Sequence, residues 1–122
     1  MSQVSLVGRM ESPKHLPSVT HEPVRRPAKI AGMLALAYHI QKAIDDNPHL
    51  HRAFVAKELG FTRARITQLL DLLLLSPDIQ EAVADLEAID GVEPMSERAL
   101  RELARMALWS DQRRAWRALQ NR

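Results

Sequence analysis

The stretch Arg52–Asp71, RAFVAKELGFTRARITQLLD, decides how this chain folds. It reads as two short helices joined by one tight turn, a helix-turn-helix. Ala56 stands where the two helices must pass closely, and a larger side chain would push them apart. Gly60, four residues later, can take the positive φ that turns the chain after the first helix. Val55, Leu59, Phe61, Ile66 and Leu69 supply the apolar contacts of the inner faces. Thr62 is placed to cap the second helix, because its hydroxyl can accept from an N–H left open in the first turn. That helix then carries Arg63, Ala64, Thr67, Gln68 and Asp71 on its outward face. An αα-hairpin inside an ordinary helical bundle obeys similar packing rules and is the alternative reading.

Working outward, the residues before this motif divide in two. Residues 1–27 contain Pro13, Pro17, Pro23 and Pro27 among Ser, Thr and charged side chains. Such a segment cannot form a long helix and is expected to be a flexible basic arm. Arg25, Arg26 and Lys29 sit where the arm meets the first helix, and are placed to track phosphates. From Ala28 to Asp45, the residues Ile30, Met33, Leu34, Ala37, Ile40 and Ile44 recur at helical spacing. Asp46-Asn47-Pro48 ends that helix. The motif's own helices are expected at His51 to Leu59 and Arg63 to Leu75. The leucines around Asp71, from Leu69 to Leu75, imply a helix end buried on most sides.

After the motif, Ser76-Pro77 punctuates the chain. Pro77 suits the first turn of a helix running to about Leu86. Asp90-Gly91 marks a loop. Ser96 is expected to cap a helix carrying Ala99, Leu100, Leu103, Ala104 and Met106. A last helix near Asp111 to Gln120 carries Trp116 and Leu119 inward. Trp109 and Trp116 are seven residues apart and are expected to share a face, either in the core or at a dimer interface.

Composition agrees with a small all-α protein: a multi-helix domain at 28–122 behind the arm at 1–27. Among 122 residues, 46% are apolar and only 4% aromatic, and no alternating β-branched runs occur. No cysteine is present, which removes disulfides, thiolate zinc sites and Cys nucleophiles together. No apolar run approaches the roughly 20 residues that cross a bilayer, and no signal-peptide core opens the chain. The expectation is a cytoplasmic, nucleoid-associated protein with no membrane partner. Charge is segregated. Residues 76–96 hold six acids and no Lys or Arg, whereas 52–75 hold four bases and two acids, and 97–122 seven bases and three acids. A duplex attracts the basic segments and repels the acidic one, which should face away from phosphates or meet a protein partner.

The run VAKELGFTRARITQLLDLLLLSPDIQEAV (55–83) resembles the helix-turn-helix domain of ParB-type partition proteins. The resemblance rests on Ala56, Leu59, Gly60, Thr62, Arg63, the Leu72–Leu75 run and Pro77. MSERALREL (95–103) resembles the family's next helix. The likeness covers roughly residues 50–108 and implies DNA binding on a helical scaffold. The family's N-terminal nucleotide-binding domain has no counterpart in residues 1–49, so the likeness does not extend to nucleotide hydrolysis or to partition itself.

If the motif enters a major groove, the N-terminal half of its second helix lies nearest the bases. Arg63 suits a guanine and Gln68 an adenine, each bidentately. Thr67 can bond a base or touch a thymine methyl, Ala64 permits close approach, and Asp71 can accept from cytosine. The amides near Thr62 suit a phosphate. Arg52, Lys57 and Arg65 are expected to position the backbone. Catalytic signals are poor: there is no Gly-rich phosphate loop and no nucleophile–base–acid set. His39, His49 and His51 near Asp45 and Asp46 give a weak metal signal, so neither a metal nor a cofactor is expected. The leading reading is a sequence-specific DNA-binding regulator or accessory factor for plasmid, phage or recombination DNA, not an enzyme. It would act as a homodimer through residues 97–122. The alternative is a protein-interaction adaptor using the same scaffold.

Overall fold

A computed structural model of the chain describes residues 22–47, 49 and 51–121. Among them are six α-helices and one two-stranded sheet. The helices are α1 (Lys29–Asp46), α2 (Arg52–Leu59), α3 (Arg63–Asp71), α4 (Pro77–Ala84), α5 (Glu97–Ala104) and α6 (Trp109–Gln120). The strands are β1 (Arg25–Pro27) and β2 (Glu87–Ile89), paired antiparallel with Arg26 opposite Ala88. No described helix is long and apolar enough to cross a membrane.

Helix α1 is the spine. Its N-terminal half, through Ile30 and Leu34, packs with Leu72, Leu75, Ile79, Val83, Leu100, Leu103 and Trp116. Its C-terminal half, through Ala37 and Ile40, packs with Val55, Ala56, Ile66, Leu69 and Leu70. Met33 and Leu73 touch both clusters and join them. One helical stripe thus serves two layers: the motif on one half, the later helices on the other.

The leucine run does not continue α3. It tightens into a 3-10 turn at Leu72–Leu74, which leaves carbonyls without helical partners. Two glutamines from other elements accept that task. Gln80 Nε2 donates to Leu73 O at 3.1 Å and Leu75 O at 2.8 Å. Its Oε1 accepts from the Tyr38 hydroxyl on α1. Gln112, only 1% exposed, accepts from Ser76 N at 2.8 Å. It also donates to Leu74 O at 3.1 Å and Met106 O at 3.2 Å. The run is buried at Leu69, Leu70, Leu72 and Leu75, but Leu74 is 58% exposed.

Several expected boundaries move. The arm expected at 1–27 ends in ordered structure, because residues 25–27 form β1; residues 1–21 lie outside the described residues. Ala28 N donates to Leu86 O at 2.9 Å, carrying the pairing up to the start of α1. Asp90 (φ 52°) and Gly91 (φ 81°) form a tight two-residue turn between Ile89 and Val92, whose amides and carbonyls exchange bonds of 3.1 and 3.0 Å. Two successive positive φ angles are what Asp-Gly tolerates. Helix α5 ends at Ala104, so Met106 falls in the following loop and is exposed rather than packed. Trp116 is buried on α6, but Trp109 opens that helix beyond the core and is 49% exposed, with the Arg113 guanidinium 6.0 Å from its ring centre.

The acidic segment is largely matched within the molecule. Asp78 pairs with Arg113 at 3.0 Å, and Glu87 with Arg25 at 3.2 Å. Asp90 Oδ1 accepts from Val24 N at 3.0 Å, and Glu93 Oε1 from Lys29 N at 2.8 Å. The last bond supplies α1 with the N-terminal acceptor that Ala28 lacks. Arg113 holds the Asp78 carboxyl down to about 2, from an ordinary 3.8.

Candidate nucleic-acid interface

The turn between α2 and α3 is built as the residues dictate. Gly60 adopts φ 75°, and its flanking amides close the end of α2: Phe61 N donates to Ala56 O at 2.8 Å and Gly60 N to Lys57 O at 3.3 Å. This crossed pair satisfies two of the helix's last carbonyls. A Cβ on Gly60 would meet nothing within 4 Å, so the requirement for glycine is conformational and not steric. Thr62 Oγ1 accepts from Arg65 N at 3.0 Å and caps α3. Ala56 is buried against the second core cluster, where the close helix approach was expected.

The inner faces hold Val55, Ile66 and Leu69 fully and Phe61 partly. Leu59 is a correction: at 46% exposed it lies at the last turn of α2, outside the helix contact. Together with Phe54 it flanks a shallow apolar groove of about 300 Å³ against Leu36 and Ile40 of α1.

On α3, Arg63, Ala64 and Thr67 are exposed, and Gln68 and Asp71 are half-buried. Ala64, Thr67, Gln68 and Asp71 lie away from the buried Ile66, Leu69 and Leu70, as the period of a helix requires, whereas Arg63 stands seven residues before Leu70, on the side of the buried stripe, and is exposed as the first residue of α3. Arg63 and Lys57 are exposed and make no ion pair among the described residues. Arg52 Nη1 approaches Thr67 Oγ1 at 3.5 Å, so α2 reaches across to the same face.

Arg65 departs from its expected role. It does not extend as a backbone-positioning cation but turns to α5, where Glu97 Oε2 and Oε1 accept from its Nη1 and Nη2 at 2.5 and 2.9 Å. Arg101 Nε lies 3.3 Å from the same carboxylate, an ion pair without a directed hydrogen bond. Arg65 Nη1 also donates to Gln68 Oε1 at 3.2 Å. The guanidinium of Arg65 holds the Glu97 carboxyl below its ordinary range, and Glu97 holds Arg65 above its own. Glu97 was not legible as part of this site, since it lies 32 residues away from Arg65. Among the described residues no three His, Cys, Asp or Glu side chains gather where a metal could sit.

No protein-family model, curated protein or solved structure matches this chain.

Proposed function

We propose that this protein binds double-stranded DNA sequence-specifically, with α3 as the recognition helix in the major groove. One observation carries the reading. Arg63, Ala64 and Thr67 stand exposed on the N-terminal half of a helix that is capped by Thr62, entered through the positive-φ Gly60 and braced by Glu97. An exposed arginine beside a small residue and a hydroxyl is suited to base edges, and the amides of a helix start to phosphate. Arg52 and Lys57 supply cations on α2 for the backbone. The likeness of residues 50–108 to ParB-type domains points the same way, toward a regulator or accessory factor for plasmid, phage or recombination DNA.

A single recognition helix reads few base pairs, so useful selectivity calls for two copies on a two-fold site. The surface that fits a second copy is not Trp116 and Leu119, which pack on the core, but the exposed Leu74, Met106, Leu108 and Trp109. Gln112 brings the first two together by bonding both their carbonyls.

The test is a binding-site selection followed by affinity titration against salt. Binding should weaken steadily as salt rises, and Arg63→Ala should lose at least about fivefold on the selected site. Ultracentrifugation with that DNA should give two protomers per site. Binding that ignores salt, or an Arg63→Ala variant with wild-type selectivity, would refute the groove assignment.

A further inference from the structure

Two arginines flank the outward strip of α3. Arg52 reaches it from α2, with Nη1 3.5 Å from Thr67 Oγ1. Arg65 stands on the opposite edge, toward α5, where its Nη1 donates to Gln68 Oε1 at 3.2 Å. A helix lying in a major groove has a sugar-phosphate strand along each flank, so both arginines are placed to meet phosphate. Their circumstances differ. Arg52 makes no ion pair among the described residues. Arg65 is held by Glu97, whose Oε2 and Oε1 accept from its Nη1 and Nη2 at 2.5 and 2.9 Å. Arg101 Nε lies 3.3 Å from the same carboxylate.

A phosphate must break that grip to engage Arg65. The grip is bidentate and charge-assisted, and both partners are already in place on the folded chain. The Glu97 side chain is only 14% exposed. Were Arg65 to swing out to a duplex, the carboxylate would be left shielded from water beside an approaching phosphate, with Arg101 alone to answer it. Resting on the DNA-binding reading above, we infer that Glu97 withholds Arg65 from the DNA backbone and so limits the sequence-independent part of binding. Glu97 is then a positioning residue, which acts through Arg65 and touches no DNA itself. The duplex is gripped unequally, by Arg52 on the α2 flank and not by Arg65 on the α5 flank.

The experiment uses the full chain and a duplex that lacks the selected site, titrated against salt. Glu97→Gln keeps the shape and one neutral acceptor, but a phosphate is a stronger partner for a guanidinium than an amide is. Arg65 so freed adds about one phosphate contact. The slope of log affinity against log salt should steepen by about 0.9, and binding at low salt should tighten by about fivefold or more. A purely structural role for Glu97 predicts weaker binding and cannot produce that gain. The double variant Glu97→Gln, Arg65→Met should return to the wild-type slope and affinity. Glu102→Gln removes the same charge from an exposed position of α5 and should gain far less. Unchanged or weaker binding in a folded Glu97→Gln overturns the inference and leaves DNA binding standing. So does a gain that survives in the double variant, or an equal gain in Glu102→Gln. Should Glu97→Gln fail to fold, Arg65→Met and Arg52→Met decide it: the first should leave the wild-type slope unchanged and the second should lower it by about 0.9. A fall in Arg65→Met as large as in Arg52→Met would show Arg65 already on a phosphate, and overturns the inference. A wild type that binds no duplex, or binds without regard to salt, removes the DNA-binding reading itself.

Discussion

Gln112→Leu removes a side chain of nearly the same length and leaves three backbone groups without their partner. The Ser76 amide loses its acceptor at 2.8 Å, and the Leu74 and Met106 carbonyls lose donors at 3.1 and 3.2 Å. Ser76 is fully buried, so its amide bears the whole desolvation cost of about 1–3 kcal/mol. Leu74 and Met106 are exposed residues, and water can recover part of what their carbonyls lose. Leucine returns some apolar burial. The net loss should be about 2–3 kcal/mol. At about 4–8 °C per kcal/mol for a domain near 100 residues, thermal unfolding should fall by roughly 10–20 °C. Gln112→Glu sharpens the test. Its carboxylate can accept from Ser76 but faces two carbonyls, so the neutral acid is favoured in the folded state and its pKa rises. A raised folded pKa in an acid means stability gained as pH falls, so this variant should recover toward wild type in acid while Gln112→Leu does not. A fall below about 2 °C for Gln112→Leu, or no pH dependence in Gln112→Glu, would refute the assignment of Gln112 as the tie between the 3-10 turn and α6.

Other substitutions probe the remaining supports. Gly60→Val should cost more than the roughly 1–2 kcal/mol of an ordinary residue in the left-handed region, while Gly60→Asn should cost less; equal melting points would deny the positive φ. Ala56→Leu should overpack the motif by about 1–3 kcal/mol, read in the same melts. Deleting residues 1–27 removes β1 and its pairing with β2 and should lower the melting point; an unchanged melting point would make the strand dispensable. The Asp78 carboxyl, lowered to about 2 by Arg113, gives a pair that is whole above its ordinary 3.8 and is lost as pH falls through the folded value. Asp78→Asn should therefore lie below wild type near neutral pH and converge with it in strong acid.

What the sequence made legible is what a few neighbouring residues decide alone. Gly60 must take a positive φ for α2 to stop where it does, and Thr62 and Ser96 lie three residues before the amides they cap. The spacing of Ile30, Leu34, Ala37 and Ile40 announces a buried stripe whatever covers it. Long-range chemistry was not legible. Nothing near Arg25 says that it will pair with residues 87–89, and nothing near Ser76 calls for Gln112. Trp109 and Trp116 show the limit of periodicity: they do lie seven apart on one helix, but α6 begins at Trp109, one turn before the core reaches it. Arg65 shows the same limit for charge. An arginine on the second helix of such a motif reads as a phosphate contact, but here a carboxylate from α5 engages it.

These ties separate holding the helix from aiming it. Gln80 and Gln112 fasten the turn after α3, far from the half proposed to meet bases, whereas Glu97 grips Arg65, which in turn donates to Gln68. Removing Gln112 should therefore lower the folded fraction without changing what the folded molecule prefers. Removing the Glu97 carboxylate strips Arg65 of two charge-assisted bonds, each worth about 1.5–3 kcal/mol, and also frees the group that orients Gln68. Glu97→Ala should lose stability and selectivity together, at the Gln68-dependent base pair and not at the one read by Arg63. Measuring both variants by melting and by selection, at a temperature where each is fully folded, distinguishes the two effects. If Gln112→Leu shifts base preference as much as Glu97→Ala does, the two ties are not separable and α3 is positioned by the fold as a whole.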